Sequence, residues 1–191
     1  MTQDLPPQLL KLSKPIVLVG LMGAGKTCIG TRLAAKLGLP FIDADTEIER
    51  AAGCSVADIF ELYGESEFRK GERRVIARLL KDPVHVLATG GGGFMDSATR
   101  KEVSDRAISV WLRADLNLLV SRTGRRADRP LLEKGNRREI LEQLIEERHP
   151  IYAEADLVID SAWEFPDLTV DRLIGALEKF TGKSAGAGAV Q

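Results

Sequence analysis

The densest chemistry in the chain stands near its start, where an apolar run IVLVG leads directly into Gly20-Leu21-Met22-Gly23-Ala24-Gly25-Lys26-Thr27 and then into a helical pattern. This is GxxxxGK[ST] in a strand–loop–helix context, the arrangement of a phosphate-binding loop or P-loop. Gly20, Gly23 and Gly25 let the backbone turn its N–H groups onto a β-phosphate at a helix N-terminus. Lys26 neutralises the β/γ oxygens, and the Thr27 hydroxyl can serve Mg2+. The motif implies nucleotide binding without specifying the base. The guanine-reading pattern [NT]KxD and a DxxG switch are both absent, which argues against a GTPase.

Further residue clusters follow. Asp43-Ala44-Asp45 closes the second apolar run, Phe68-Arg69 lies in a helical stretch, and Thr89 is followed by four consecutive glycines at 90–93. So long a glycine run carries an entropic cost that a linker inside a compact domain does not require, and it fits a close backbone approach to a ligand. Residues 123–135, TGRRADRPLLEKG, are dense in arginine and flexible in composition, as suits a mobile lid. Arg122, Arg125, Arg126 and Arg129 surround it, and one of them descending onto the nucleotide could neutralise the transferring phosphoryl group. Taken singly, each also reads as a solvated surface arginine. Asp43 or Asp45 could equally cap the helix that begins at TEIERA, and both roles can coexist.

These residues need elements to position them. Short apolar runs at 16–20, 40–42, 84–88, 107–112 and 157–159 alternate with helical stretches at 26–37, 45–52, 56–63, 67–80, 116–122, 137–153 and 168–180, the pattern of an α/β chain. The continuous apolar character of the runs predicts a sheet of five parallel strands buried on both faces. Back-to-back helices over 45–80 predict a helical insertion projecting from the sheet edge beside the ligand crevice. With 191 residues, of which 44% are hydrophobic, the chain is read as one domain over 14–180. Tails at 1–13 and 181–191 are rich in Pro or in Gly and Ala and are read as flexible. A formal net charge of −1 gives no reason to expect a nucleic-acid or membrane partner. No apolar run approaches the ~20 residues of a membrane span, and no leader pattern precedes the first strand, so a cytoplasmic location is expected. Cys28 and Cys54 lack ligand spacing and read as small semi-buried side chains, while His85 and His149 read as structural.

In order and separation, the P-loop, Asp43-Ala-Asp45, Phe68-Arg69, Thr89-Gly-Gly-Gly92, Arg129-Pro130-Leu131-Leu132 and Glu147-Arg148-His149-Pro150-Ile151-Tyr152 resemble the shikimate kinase signature over about residues 15–160. The resemblance implies a P-loop NTPase-type three-layer sandwich with a helical substrate-binding insertion and a lid. It implies Mg2+-dependent transfer of the γ-phosphoryl of ATP to the 3-hydroxyl of shikimate, a step towards chorismate and the aromatic amino acids. Under it, Gly23, Ala24, Gly25, Lys26, Thr27, Cys28, Arg122 and Arg129 hold ATP, and Thr27 and Asp43 serve the metal, Asp43 through bound water. Arg69 and Arg148 clamp the shikimate carboxylate, with Glu72 orienting Arg69, while Gly90, Gly91 and Gly92 approach the ring. Asp45 bonds ring hydroxyls and, with Lys26 and Arg129, carries catalysis as the candidate general base. A monomer acting on ATP and shikimate is implied as well. Gly93, Met22, Cys28 and Gly71 depart modestly from the family pattern and bear on affinity rather than reaction class. Two other readings share the motif: a further small-metabolite kinase, such as a gluconate kinase, and a non-catalytic ATP-binding homologue.

Overall fold

The computed structural model describes residues 12–124 and 135–187. The first 11 residues, most of the lid stretch, and Arg125, Arg126 and Arg129 lie outside the described residues. Five strands, β1 (Ile16–Val19), β2 (Phe41–Asp43), β3 (Val86–Ala88), β4 (Ile108–Ala114) and β5 (Leu157–Ser161), form one parallel sheet in the order β2-β3-β1-β4-β5. All of β1 and β3 is buried, as unalternating apolar runs require. Edge strand β5 departs from that expectation: Val158 and Asp160 face solvent. β4 and β5 also run beyond the expected limits, to Ala114 and Ser161, and the Arg113–Asp160 ion pair, with N···O distances of 2.6 and 2.9 Å, ties their polar ends together.

Seven helices connect the strands: α1 (Lys26–Leu37), α2 (Ala44–Ala52), α3 (Val56–Leu79), α4 (Ser97–Arg106), α5 (Leu116–Thr123), α6 (Arg137–Tyr152) and α7 (Pro166–Ala187). α1 packs against α7 and lies over Leu18, while α6 brings His149 and Tyr152 against Trp111. Leu18 pairs with Val110, the neighbour of Trp111, so successive side chains of β4 look to opposite layers and the sheet is covered on both faces. Among the described residues no helix is long and apolar enough to cross a membrane.

The helical insertion hangs from edge strand β2. α2 starts at an Asp43 cap, and α3 starts at a Ser55–Asp58 capping box. α3 breaks at Gly64, whose φ of 78° and ψ of 170° are not helical, so the stretches read separately at 56–63 and 67–80 meet end to end. α4 is absent from the sequence reading. It buries little beyond Thr99 and Val103, leaving no apolar stripe to detect, although its Asp96 cap was a legible start signal. α7 continues to Ala187, past the expected end at Phe180 and into the stretch read as a flexible tail. Alanine, lysine and serine sustain a helix well enough to offset the two glycines there.

Candidate active site

The P-loop joins β1 to α1 with no spare residue. Gly20, Gly23 and Gly25 take φ values of 137°, 85° and 100°, conformations in which an L side chain is strained. A Cβ on Gly20 would stand 2.6 Å from the Leu112 carbonyl oxygen, so the loop lies directly on β4. Lys26 Nζ donates to the carbonyls of Gly20 at 2.7 Å and Leu21 at 3.1 Å, which keeps the ammonium inside the curl of the loop. The loop borders a cavity of about 480 Å3 that also receives Thr27, Cys28, Asp43, Asp45, Thr89, Gly91 and Arg122. It lies at the C-terminal ends of the central strands, where the chain passes from β3 on one side of β1 to β4 on the other.

Thr27 Oγ1 donates to Asp43 Oδ2 at 3.1 Å, and Asp45 N donates to Asp43 Oδ1, also at 3.1 Å. Asp43 therefore caps α2, as the sequence allowed, and accepts from the P-loop threonine at once. Asp45 points into the cavity. Burial raises its carboxyl above the ordinary range and the neighbouring Asp43 charge adds to this, while Lys26 and Arg69 oppose it. A raised carboxylate is a better proton acceptor than an exposed one. Arg122 turns towards the back of the P-loop, with Nη1 2.9 Å from Ser161 Oγ and 3.4 Å from the Gly23 and Ala24 carbonyls, while Nη2 donates to the Ala162 carbonyl. Cys28 is exposed, not semi-buried as expected, because it starts the outer face of α1; Arg32 Nη1 stands 2.9 Å from its sulfur. Cys54 is half-buried.

At the other end of the cavity the glycine run is the hub. A Cβ on Gly90 would lie 2.8 Å from Asp45 Oδ1 and 2.9 Å from Glu72 Oε1, and one on Gly92 would fall 2.4 Å from the Arg69 guanidinium. Any larger residue there would displace Asp45, Glu72 or Arg69. Arg69 Nη1 bonds Glu72 Oε2 at 2.7 Å, and its other nitrogens reach Glu65 Oε1 at 3.2 and 3.4 Å, so the fork is held in a set direction. Glu72 is 2% exposed; burial raises its carboxyl while Arg69 pulls the other way. Arg148 Nη1 donates to the Gly91 carbonyl at 3.0 Å, and Tyr152 OH donates to the same oxygen. Arg100 Nη1 bonds the Phe94 and Met95 carbonyls, pinning the 3-10 turn Gly93–Met95 that follows the run. His149 packs edge-on against Trp111 with centroids 4.9 Å apart, and His85 Nδ1 bonds the Pro83 carbonyl at the opposite end of β3.

The fold thus gathers Lys26, Thr27, Asp43 and Arg122 around the P-loop, and Arg69, Glu72, Arg148 and the glycines beyond them, with Asp45 between the two groups. Sequence reasoning missed Ser161, Glu164 and Thr169, which close the cavity from β5 and α7 and carry no local signal. It quoted Tyr152 but gave it no role, although its i+4 spacing from Arg148 put both on one helix face.

A P-loop opening onto a crevice lined by two aspartates and bare backbone, with the forked guanidiniums of Arg69 and Arg148 set against the glycine run that borders it, is the arrangement of a P-loop kinase of small metabolites. The family model described as shikimate kinase matches residues 22–178. A shikimate kinase of Paramagnetospirillum magneticum is 56% identical over 167 residues, 87% of this chain and 86% of that protein. A shikimate kinase of Acinetobacter baumannii, solved in complex with shikimate, superposes with a TM-score of 0.84 at 39% identity, covering 90% of this chain and 96% of that one. A gluconokinase from Sinorhizobium meliloti shares the fold, with a TM-score of 0.64 at 17% identity, covering 92% of this chain and 97% of that one. The chain belongs to the shikimate kinase family, phosphotransferases that act on an alcohol group.

Proposed function

We propose that the protein transfers the γ-phosphoryl of ATP to the 3-hydroxyl of shikimate, giving shikimate 3-phosphate and ADP on the route to chorismate. The observation that carries this reading is the convergence of Arg69, Arg148 and Asp45 on the glycine run, whose Gly91 lines the crevice that the P-loop opens. Two guanidiniums suit a carboxylate, whose two oxygens match the planar fork. Asp45 suits ring hydroxyls, and its raised carboxyl can take the proton of the attacking one. Lys26 draws charge off the transferring group, and Arg129 adds a second positive charge. Arg122 steadies the loop on which the phosphates rest. In this reading the enzyme works as a cytoplasmic monomer of one kinase domain over 14–180, the insertion holding the acceptor and the lid at 123–135 excluding water, with no nucleic-acid or membrane partner.

The residues present fit Mg2+. The Thr27 hydroxyl and the Asp43 carboxylate meet at the mouth of the cavity and offer hard oxygen donors. Among the described residues no group of three His, Cys, Asp or Glu could cage a metal alone, so the ion would depend on nucleotide phosphates as well. When bound, it supplies charge to the β/γ oxygens. Asp43→Asn should raise the Mg2+ concentration for half-activity about 10- to 100-fold, the range for losing an outer-shell partner. Asparagine caps a helix as well as aspartate does, so the melting temperature should hold. An unchanged metal titration would reduce Asp43 to a helix cap.

A coupled assay of ADP formation tests the function as a whole. Release of ADP should require ATP and Mg2+ and should rise steeply with shikimate but not with gluconate. ADP formation driven equally well by gluconate would move the acceptor to another class. Nucleotide binding without turnover on either compound would leave an ATP-binding module.

A further inference from the structure

The Gly91 carbonyl accepts from two side chains of one helix face, Arg148 and Tyr152. Under the function proposed above, one of them has another task. A fork that turns to meet a carboxylate with two prongs weakens or gives up its bond to Gly91, and a part-buried carbonyl left without a protein donor is costly once a ligand shuts out water. Tyr152 has no such second demand. Its ring is fully buried and fixed between Trp111 and Phe94, with centroids 5.9 and 6.4 Å away, so its hydroxyl cannot follow a moving partner. We infer that Tyr152 is a positioning residue for the acceptor: it keeps the Gly91 carbonyl satisfied and turned towards α6, which releases Arg148 to the substrate carboxylate.

The peptide geometry extends the consequence. In a trans peptide the N–H lies opposite the carbonyl, so holding the Gly91 oxygen against α6 directs the Gly92 N–H the other way. Burial pushes the phenol up to about 12, and it therefore remains an O–H donor at any working pH. Arg148 and the phenol share the Gly91 carbonyl, so the two side chains are coupled before substrate arrives.

Tyr152→Phe removes the donor and keeps the ring, and calorimetric or fluorescence titration with shikimate reads the result. The dissociation constant should rise about ten-fold, the effect of orphaning one buried acceptor on binding, and the KM for shikimate should rise more than kcat falls, with the KM for ATP little changed. The deciding measurement repeats the change in Arg148→Ala. There the carbonyl lacks its guanidinium donor before and after binding, and Tyr152→Phe should cost less than about two-fold. Equal penalties in both backgrounds, or none in either, would overturn the inference and leave Tyr152 as packing. If Arg148→Ala alone binds shikimate as tightly as the native protein, the carboxylate clamp itself fails, and this inference with it. Melting curves for each variant separate loss of fold from loss of binding.

Discussion

Replacing Lys26 by methionine is expected to lower kcat by roughly 10²- to 10³-fold, the range for deleting one preorganised donor at a transition state, while the protein still folds. The ammonium sits within the P-loop on the Gly20 and Leu21 carbonyls, and under the proposed function it stands beside the loop on which charge builds as the γ-phosphoryl loosens. A group that gains its full value only in the transition state acts on kcat more than on nucleotide affinity. Methionine fills similar volume without the charge. ATP binding measured directly should therefore change far less than turnover, and near-normal turnover in a folded variant would remove Lys26 from the chemistry.

Arg69→Ala and Arg148→Ala should each weaken shikimate binding by roughly 2–5 kcal/mol, the range for truncating one partner of a buried charge pair, with ATP affinity almost unchanged. The two variants differ in what they leave behind. Arg69 is ion-paired with buried Glu72, so its removal strands a carboxylate and should also lower the melting temperature. The partner of Arg148 is a carbonyl that keeps Tyr152, so its variant reports binding more cleanly. Lysine at either position should recover only part of the loss, since it keeps the charge without the planar fork. A shikimate analogue with a neutral amide in place of the carboxylate should bind the native protein poorly and lose little further in the alanine variants. Additive penalties across that cycle would mean that neither arginine touches the carboxylate.

Both ends of the crevice could be read from the sequence, for different reasons. The P-loop is a local object: its glycines, lysine and threonine have meaning at fixed spacing because one turn of backbone does the binding, and the structure shows the three positive φ values that the glycines allow. The acceptor end is assembled from residues 45, 69, 90–92 and 148, which no periodicity connects. Arg69 or Arg148 alone looked like a helix-surface charge, and only the ordered resemblance joined them. α4 escaped notice because a helix that buries two side chains leaves no stripe. Ser161 and Arg122 came together across 39 positions, through the sheet order and not through any local pattern. The Tyr152 role needed the carbonyl it shares with Arg148, and a main-chain oxygen leaves no mark on a sequence.

The placement of β2 at the margin of the sheet has a consequence for how such a protein can diversify. The groups that handle nucleotide rest on β1, the middle strand, whose two hydrogen-bonding edges are both occupied, so change there would propagate through β3 and β4. Under the proposed function, Asp45 and Arg69 hang from a strand bonded on one side only, while Arg148 stands on α6 and the glycines follow β3. α2 and α3 can lengthen, rotate or exchange side chains without breaking an interior ladder. Under the proposed function acceptor choice is in that sense partly peripheral, and laboratory evolution towards a new alcohol should accumulate its substitutions mainly between residues 44 and 79 and leave residues 16–37 untouched.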